Sequence, residues 1–210
     1  MGSRTAVHQS FAPHSIDPWI MIGTNRAMLP ELESERLLLR PRSREDLAAI
    51  VRMNADPQVM KHIAAVGDPA MKRDAVAARS FSHVGRGLGY WSVFAKAGPG
   101  SFLGYVGLIP DGDAAEDVQL SYRFTVASWG HGYAREASVR LLQHGFGTLA
   151  LTSVAVTTHP LNLASLRLAE RLGFRPAPIA PTILIGDPAV IATRFRLTGD
   201  AWRGLNPPTA

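Results

Sequence analysis

Hydrophobic and polar positions alternate along this chain with two periods, and the two meet at one junction. Over residues 118–126, Leu120, Tyr122, Phe124 and Val126 alternate with other side chains, the spacing of a half-buried strand. Beyond it Ala134, Ala137, Leu141, Gly145 and Leu149 recur at three and four residues, with Leu142 and Phe146 widening the stripe. That is the spacing of an amphipathic helix. The run Ser128-Trp129-Gly130-His131-Gly132-Tyr133-Ala134-Arg135-Glu136 therefore predicts a strand that turns on glycine into a helix.

The same reading orders the rest of the chain. Leu37 and Leu39, between Arg36, Leu38 and Arg40, predict a first strand. Ser43 ahead of Glu45 and Asp46 predicts a capped helix running to about Asn54, stopped by Asp56-Pro57. Residues 58–63 read as a turn. Asp68 and Pro69 open a second helix that reaches about Val84 and is closed by Gly85, Gly87 and Gly89. Residues 90–96 and 102–109 predict an antiparallel hairpin turned at Gly98-Pro99-Gly100. The β-branched run 153–158, after the long helix, predicts a strand parallel to the central one. Asn162 to Leu172 predicts a last helix with Gly173 just beyond its end. Residues 183–185 and 190–197 read as a closing hairpin. Taken together these predict one domain over residues 31–199. Residues 1–30, which mix Pro, His and Ser without period, read as a flexible or peripheral extension, and residues 200–210 as a tail.

Composition narrows the class. At 210 residues and 46% hydrophobic content the chain can bury one sizeable core. No apolar run reaches the ~18 residues of a membrane span. The start lacks a secretory signal pattern, so a cytoplasmic location is expected. With no cysteine there is no disulfide, thiol nucleophile or thiolate metal site. His62, His83, His144 and His159 show no metal-ligand spacing, and no metal is expected. The net charge of +5 suits an anionic ligand. Lys and Arg are scattered, not gathered into the stripe of a nucleic-acid binder, so no nucleic-acid or membrane partner is expected.

The glycine junction is the best anion site the sequence offers. Gly130 and Gly132 have no Cβ, so backbone N–H groups there can approach a ligand closely. The first helical turn adds unpaired N–H donors and the positive end of the helix dipole. Such a place suits a phosphate or pyrophosphate. Two glycines at a strand-to-helix junction also serve simply to turn the chain.

Three ordered stretches resemble the GCN5-related N-acetyltransferase superfamily, and within it the ribosomal-protein N-terminal acetyltransferases. Trp129-Gly130-His131-Gly132-Tyr133-Ala134 fills that superfamily's Gln/Arg-x-x-Gly-x-Gly/Ala loop, with Trp129 at the Gln/Arg position. Glu35-Arg36-Leu37-Leu38-Leu39-Arg40-Pro41 is similar to the branch's first strand, and residues 162–174 to its last helix. The resemblance implies an α/β, mixed-sheet acyl-CoA N-acyltransferase fold of about seven strands and about four helices. It implies acetyl-CoA as acyl donor and an amine acceptor, either a protein N-terminal α-amine or a small molecule. A homodimer is an assembly it admits.

The resemblance also implies the site. The pantetheine arm would pair with backbone around Phe124, Thr125 and Val126. The pyrophosphate would rest on the loop from Trp129 through Gly130, His131, Gly132 and Tyr133 to Ala134. Asn162, Ser165 and Arg167 would complete the cofactor contacts. A backbone N–H near Phe124 would hold the oxyanion. The acceptor would meet Met60, His62, Tyr90, Trp91 and Tyr122. Two departures stand out: Gln119 replaces the family's frequent Glu, and Ala169 its frequent Tyr. Glu116 or Asp117 acting through water would then be the base, or else both are solvated turn acids. Ser165, one turn before Ala169 on the same face, would bond the sulfur, or else it bonds locally at the helix start. An α-amine, with pKa about 7.7–8.0, needs less help from a base than a lysine near 10.4. The alternative is a catalytically weak CoA-binding or sensing module of the same fold.

Overall fold

The structure, a computed structural model, describes residues 29–65, 67–98, 100–111 and 118–206. Among these residues ten strands form: Leu32–Glu33 (β1), Leu37–Pro41 (β2), Gly89–Ala95 (β3), Phe102–Pro110 (β4), Val118–Phe124 (β5), Ser153–Thr158 (β6), Arg175–Ala177 (β7), Leu184–Ile185 (β8), Val190–Ile191 (β9) and Thr193–Thr198 (β10). Eight make one sheet in the order β1-β2-β3-β4-β5-β6-β10-β7, and β8 with β9 make a separate ribbon. Every neighbouring pair in the main sheet is antiparallel except β5 with β6. The helices are Leu47–Asn54 (α1), Pro57–Met60 (α2), Arg73–Phe81 (α3), Tyr133–Gln143 (α4), Leu163–Arg171 (α5) and Gly199–Leu205 (α6).

Strand alternation divides the side chains between two layers. Leu37, Leu39, Trp91, Val93, Val106, Leu108, Leu120 and Phe124 join one buried cluster with Ala137, Leu141 and Leu142 of α4, Ala169 of α5 and Trp202 of α6. The residues between them face α1, α2 and α3: Ser92 donates to Asp46 at 2.9 Å, Arg123 bonds Asn54, and Tyr105 packs with Met53 and Val59. The sheet is thus a partition, apolar towards α4 and mixed towards α1, where polar contacts lie among two smaller apolar clusters. Helix α4 ends in a wider turn over His144–Thr148, where the Leu149 N–H reaches back to the His144 carbonyl at 3.1 Å.

Several sequence expectations need correction. Helix α1 starts at Leu47, and Ser43 does not cap it. Asp46 accepts from the Ser43 N–H at 2.8 Å, from Ser92 and from Arg40, and these bonds hold residues 43–46 in a turn before the helix. Within residues 58–63, the first part belongs to α2, capped by the Asp56 carboxylate on the Gln58 N–H at 2.8 Å. The second helix breaks into a 3-10 turn at Pro69–Met71, α3, and a 3-10 turn at Val84–Arg86. The closing hairpin divides: β8 and β9 stand apart, while β10 inserts between β6 and β7. Residues 199–205, in and beside the expected tail, are helix α6, whose Trp202 stacks on Phe146 at 5.6 Å.

Candidate functional site

The parallel pair at mid-sheet is barely a pair. Strand β5 pairs with β4 along its whole length, from Val118 opposite Pro110 to Phe124 opposite Gly104. With β6 it pairs only at Gln119 and Ala155, and beyond that the strands part. The Thr125 N–H donates to the Leu103 carbonyl at 2.9 Å, so by ladder alternation the N–H and C=O of Phe124 point away from β4, into the wedge. The Trp129 indole Nε1 donates to that Phe124 carbonyl at 3.0 Å. Gly104 permits this close approach: a Cβ there would lie 2.7 Å from the Phe124 Cα and 2.9 Å from its ring. No motif in the sequence marks Gly104 for that role.

Past Phe124 the chain makes a 3-10 turn at Val126–Ser128 and enters α4. Thr125 Oγ1 and Ser128 Oγ lie 2.7 Å apart, and both donate to the Leu103 carbonyl. They anchor the loop to β4. Gly130 and Gly132 both have φ of 79°, a conformation that glycine adopts without steric cost. The Ser128 and Trp129 N–H groups close the turn, and the Glu136 N–H donates to the Gly132 carbonyl. Among the described residues, the N–H groups of Gly130, His131, Gly132, Tyr133, Ala134 and Arg135 have no partner within the protein. Six donors at a helix start, with open space beside Gly130, form an anion cradle.

Glu136 braces this cradle in a way the sequence did not suggest. It accepts from Ser34 Oγ at 2.7 Å, from the Arg36 N–H at 2.9 Å and from Arg36 Nε at 2.7 Å. Arg140, four residues on, donates to the Glu33 carbonyl at 2.9 Å. Burial alone would raise the Glu136 carboxyl, but the bonds from Ser34 and Arg36 outweigh it and hold the group below its ordinary value. Arg36 also lies over the Tyr133 ring at 5.0 Å, which stacks on His131 at 5.5 Å.

Across the wedge, Asn162 caps α5 by accepting the Ser165 N–H at 3.2 Å. The buried Ser165 hydroxyl lies 2.8 Å from the Tyr122 hydroxyl on β5. Burial pushes the Tyr122 phenol up to about 12, with the Ser165 bond acting weakly the other way. Tyr122 is therefore a proton donor throughout the neutral range. Ala169, one turn further on, is fully buried. Arg167 is exposed on the outer face of α5.

A cavity of about 140 Å³ lies on the α1 and α3 side of the sheet, lined by Arg42, Asn54, Arg79, Tyr90, Tyr105 and Arg123, among others. A broader depression of about 510 Å³ runs beside it past Arg52, Asp56, Phe102 and Thr125. Val126 packs on the cluster of Met53, Val59 and Tyr105, and so links the glycine loop to the wall of the smaller cavity.

Comparison with known proteins decides the family. Residues 36–175 match the profile of the acetyltransferase (GNAT) domain. The chain belongs to the GNAT acetyltransferase family. It is an acyl-CoA-dependent acetyltransferase by that membership. It is 31% identical over 145 residues to the uncharacterized protein YkkB of Bacillus subtilis, covering 68% of this chain and 84% of that one. It is 28% identical over 199 residues to the FsC-acetyl coenzyme A-N(2)-transacetylase of Aspergillus fumigatus, covering 86% and 81%. Mycobacterium smegmatis RimJ, solved in complex with CoA-disulfide, shares the fold with a TM-score of 0.68 at 18% identity, covering 86% and 89%. The mixed sheet flanked by helices is the GNAT fold, with eight strands where about seven were expected.

The acetyltransferase distributes the expected acceptor residues widely. Tyr90 lines the arginine cavity. Met60 is 1% exposed in the core beneath α2. The His62 ring lies 5.0 Å from that of His159, just past β6; burial, His159 and Lys61 hold His62 below its ordinary value. Trp91 is fully buried on the opposite face, edge-on to His144 at 5.9 Å, with its Nε1 on the Pro30 carbonyl. Tyr122 faces Ser165, on the α5 side. Glu116, Asp117 and the extension up to residue 28 lie outside the described residues. Sequence reasoning missed Arg42, Arg79 and Arg123, and also Asp111, which pairs with Arg194 of β10 just beyond the end of β4. Their separation in the chain left no local signal.

Proposed function

We propose that this acetyltransferase carries the acetyl group of acetyl-CoA directly to a primary amine, with the thioester held in the β5–β6 wedge. One observation carries the reading: β5 parts from β6 after Gln119 and runs on into a loop with six N–H donors that have no partner among the described residues. The wedge suits an extended pantetheine arm, and the donors suit its pyrophosphate. The FsC-acetyl coenzyme A-N(2)-transacetylase likeness supports nitrogen as the acceptor atom.

In this reading a neutral amine attacks the thioester carbonyl, forming the C–N bond and a tetrahedral oxyanion. The Phe124 N–H, aimed into the wedge, donates to that oxygen, the kind of preorganised contact worth roughly 10²–10³ in rate. The intermediate collapses, the C–S bond breaks, and the amine's surplus proton passes to solvent. The leaving thiolate takes a hydrogen bond from Ser165 and then a proton from solvent, which balances the one the amine has shed. Tyr122 backs this step: donating its own proton to Ser165 Oγ leaves the serine hydrogen free to face the sulfur. The phenol that many family members place at position 169 thus has a counterpart on β5.

The test is release of free thiol from acetyl-CoA with a panel of primary amines, including peptides with different first residues. Turnover that depends on the amine supports the reading. Tight CoA binding with no amine-dependent thiol release would overturn it and leave a binding module.

A further inference from the structure

We infer that the acceptor is a small primary amine that also bears a carboxylate or phosphate, held by a buried arginine cluster beside β5. The inference rests on the acetyl-transfer reading and adds the acceptor's class. Arg42 is 8% exposed, clasped between the Tyr90 and Tyr105 rings at 4.1 and 4.4 Å from their centroids. Its Nη1 donates to Ser80 Oγ at 2.9 Å. Among the described residues, its Nε and Nη2 are buried with no partner, and so is Nε of Arg123. Arg79 stands at the exposed rim, one Nη on the Ala70 carbonyl.

No carboxylate among the described residues lines this cavity. Asp46, the acid whose charge acts on Arg42, is already committed to Arg40 at 2.7 Å, the Ser43 N–H at 2.8 Å and Ser92 at 2.9 Å. Guanidinium groups do not shed their proton to escape such a site. Buried polar groups are ordinarily satisfied, so the open donors of Arg42 and Arg123 ask for an acceptor that the described residues do not supply. The arginine fork matches the oxygens of a carboxylate or phosphate. A cavity of about 140 Å³ equals about five waters at ~30 Å³ each, room for an acid group and a short stem.

The cavity also borders the proposed chemistry. Its β5 wall is Ser121 and Arg123, and Arg123 directly precedes Phe124, whose N–H points into the wedge. The adjacency of Arg123 and Phe124 favours an amine joined to its acid group by a short stem. The same three positive charges disfavour diamines and polyamines.

The experiment compares kcat/KM for an α-amino acid, its amide, the amine lacking the acid group, an aminoalkyl phosphate, a diamine and a peptide. In parallel, inorganic phosphate is titrated into CoA-saturated protein, where the glycine loop is already filled. The acid-bearing small amines should exceed the amide and the plain amine by at least about tenfold, the scale of a charged hydrogen bond. The better of the amino acid and the phosphate identifies the acid. Arg123→Gln should remove this preference through KM and abolish phosphate binding, leaving KM for acetyl-CoA unchanged. Arg42→Lys serves as the milder second variant should a larger change at that buried position prevent folding. Preference for the amide, the diamine or the peptide overturns the inference, as does failure of phosphate to bind. Phosphate binding without turnover of any amine would sink the acetyl-transfer reading and leave the anion site standing.

Discussion

At the scale of single residues, the contact between Ser165 and Tyr122 matters most. Spacing along one helix made Ser165 readable, because it shares a face with Ala169 four residues on. Its partner was not readable, since 43 residues separate them and only the packing of α5 on β5 brings the hydroxyls to 2.8 Å. Loss of a hydrogen bond to a developing thiolate costs about 1.4 kcal/mol, or about tenfold in rate. Ser165→Ala is therefore expected to lower kcat about tenfold with KM for acetyl-CoA little changed. Tyr122→Phe should act in the same direction and less strongly. Steady-state kinetics at saturating amine checks this; an unchanged kcat in both variants would remove Ser165 and Tyr122 from the mechanism.

At the scale of elements, caps that depend on neighbours in sequence were legible and those recruited by distant partners were not. Asn162 bonds a backbone N–H three residues on and caps α5 at the boundary where the sequence starts that helix. Ser43 does not cap α1, because Asp46 is drawn to Arg40 and Ser92 from β2 and β3. Glu136 belongs with Asp46: it fastens the β1–β2 turn to the first turn of α4, under the glycine loop. Its folded-state pKa lies below the ordinary value, so the stability it confers is complete above the unfolded carboxylate range of about 4.3. That stability drains away as pH falls through the lower, folded value. Glu136→Gln should lower Tm at pH 7 and flatten the fall in Tm between neutral and acid pH. Thermal melts across pH check this; equal acid slopes in the two proteins would show that the Ser34 and Arg36 bonds contribute nothing to stability.

At the scale of the whole molecule, the sequence carried the succession of strands and helices, the parallel crossover through α4 and the family. These follow from periodicity and from three local motifs. It did not carry the place of β10 between β6 and β7, since Arg194 and Arg196 alternate with Phe195 and Leu197 as they would in any edge hairpin. Nor did it carry the arginine cavity, assembled from Arg42 just past β2, from α1 and α3, and from strands β3, β4 and β5. The division of labour across the sheet follows from both. In the proposed reading the wedge and glycine loop offer donors to an acyl donor rich in phosphate, and the far face offers guanidinium groups to the acceptor.

The central claim is that the unpartnered N–H groups of residues 130–135 receive the pyrophosphate of acetyl-CoA while Phe124 faces its thioester. Amide ¹H–¹⁵N spectra recorded through an acetyl-CoA titration test it most directly, with acetylated pantetheine, which lacks the pyrophosphate, as the comparison. The account predicts saturable shifts at residues 130–135 and at Phe124 with acetyl-CoA, and at Phe124 alone with acetylated pantetheine. Saturation by acetyl-CoA with the six loop amides unmoved would contradict it.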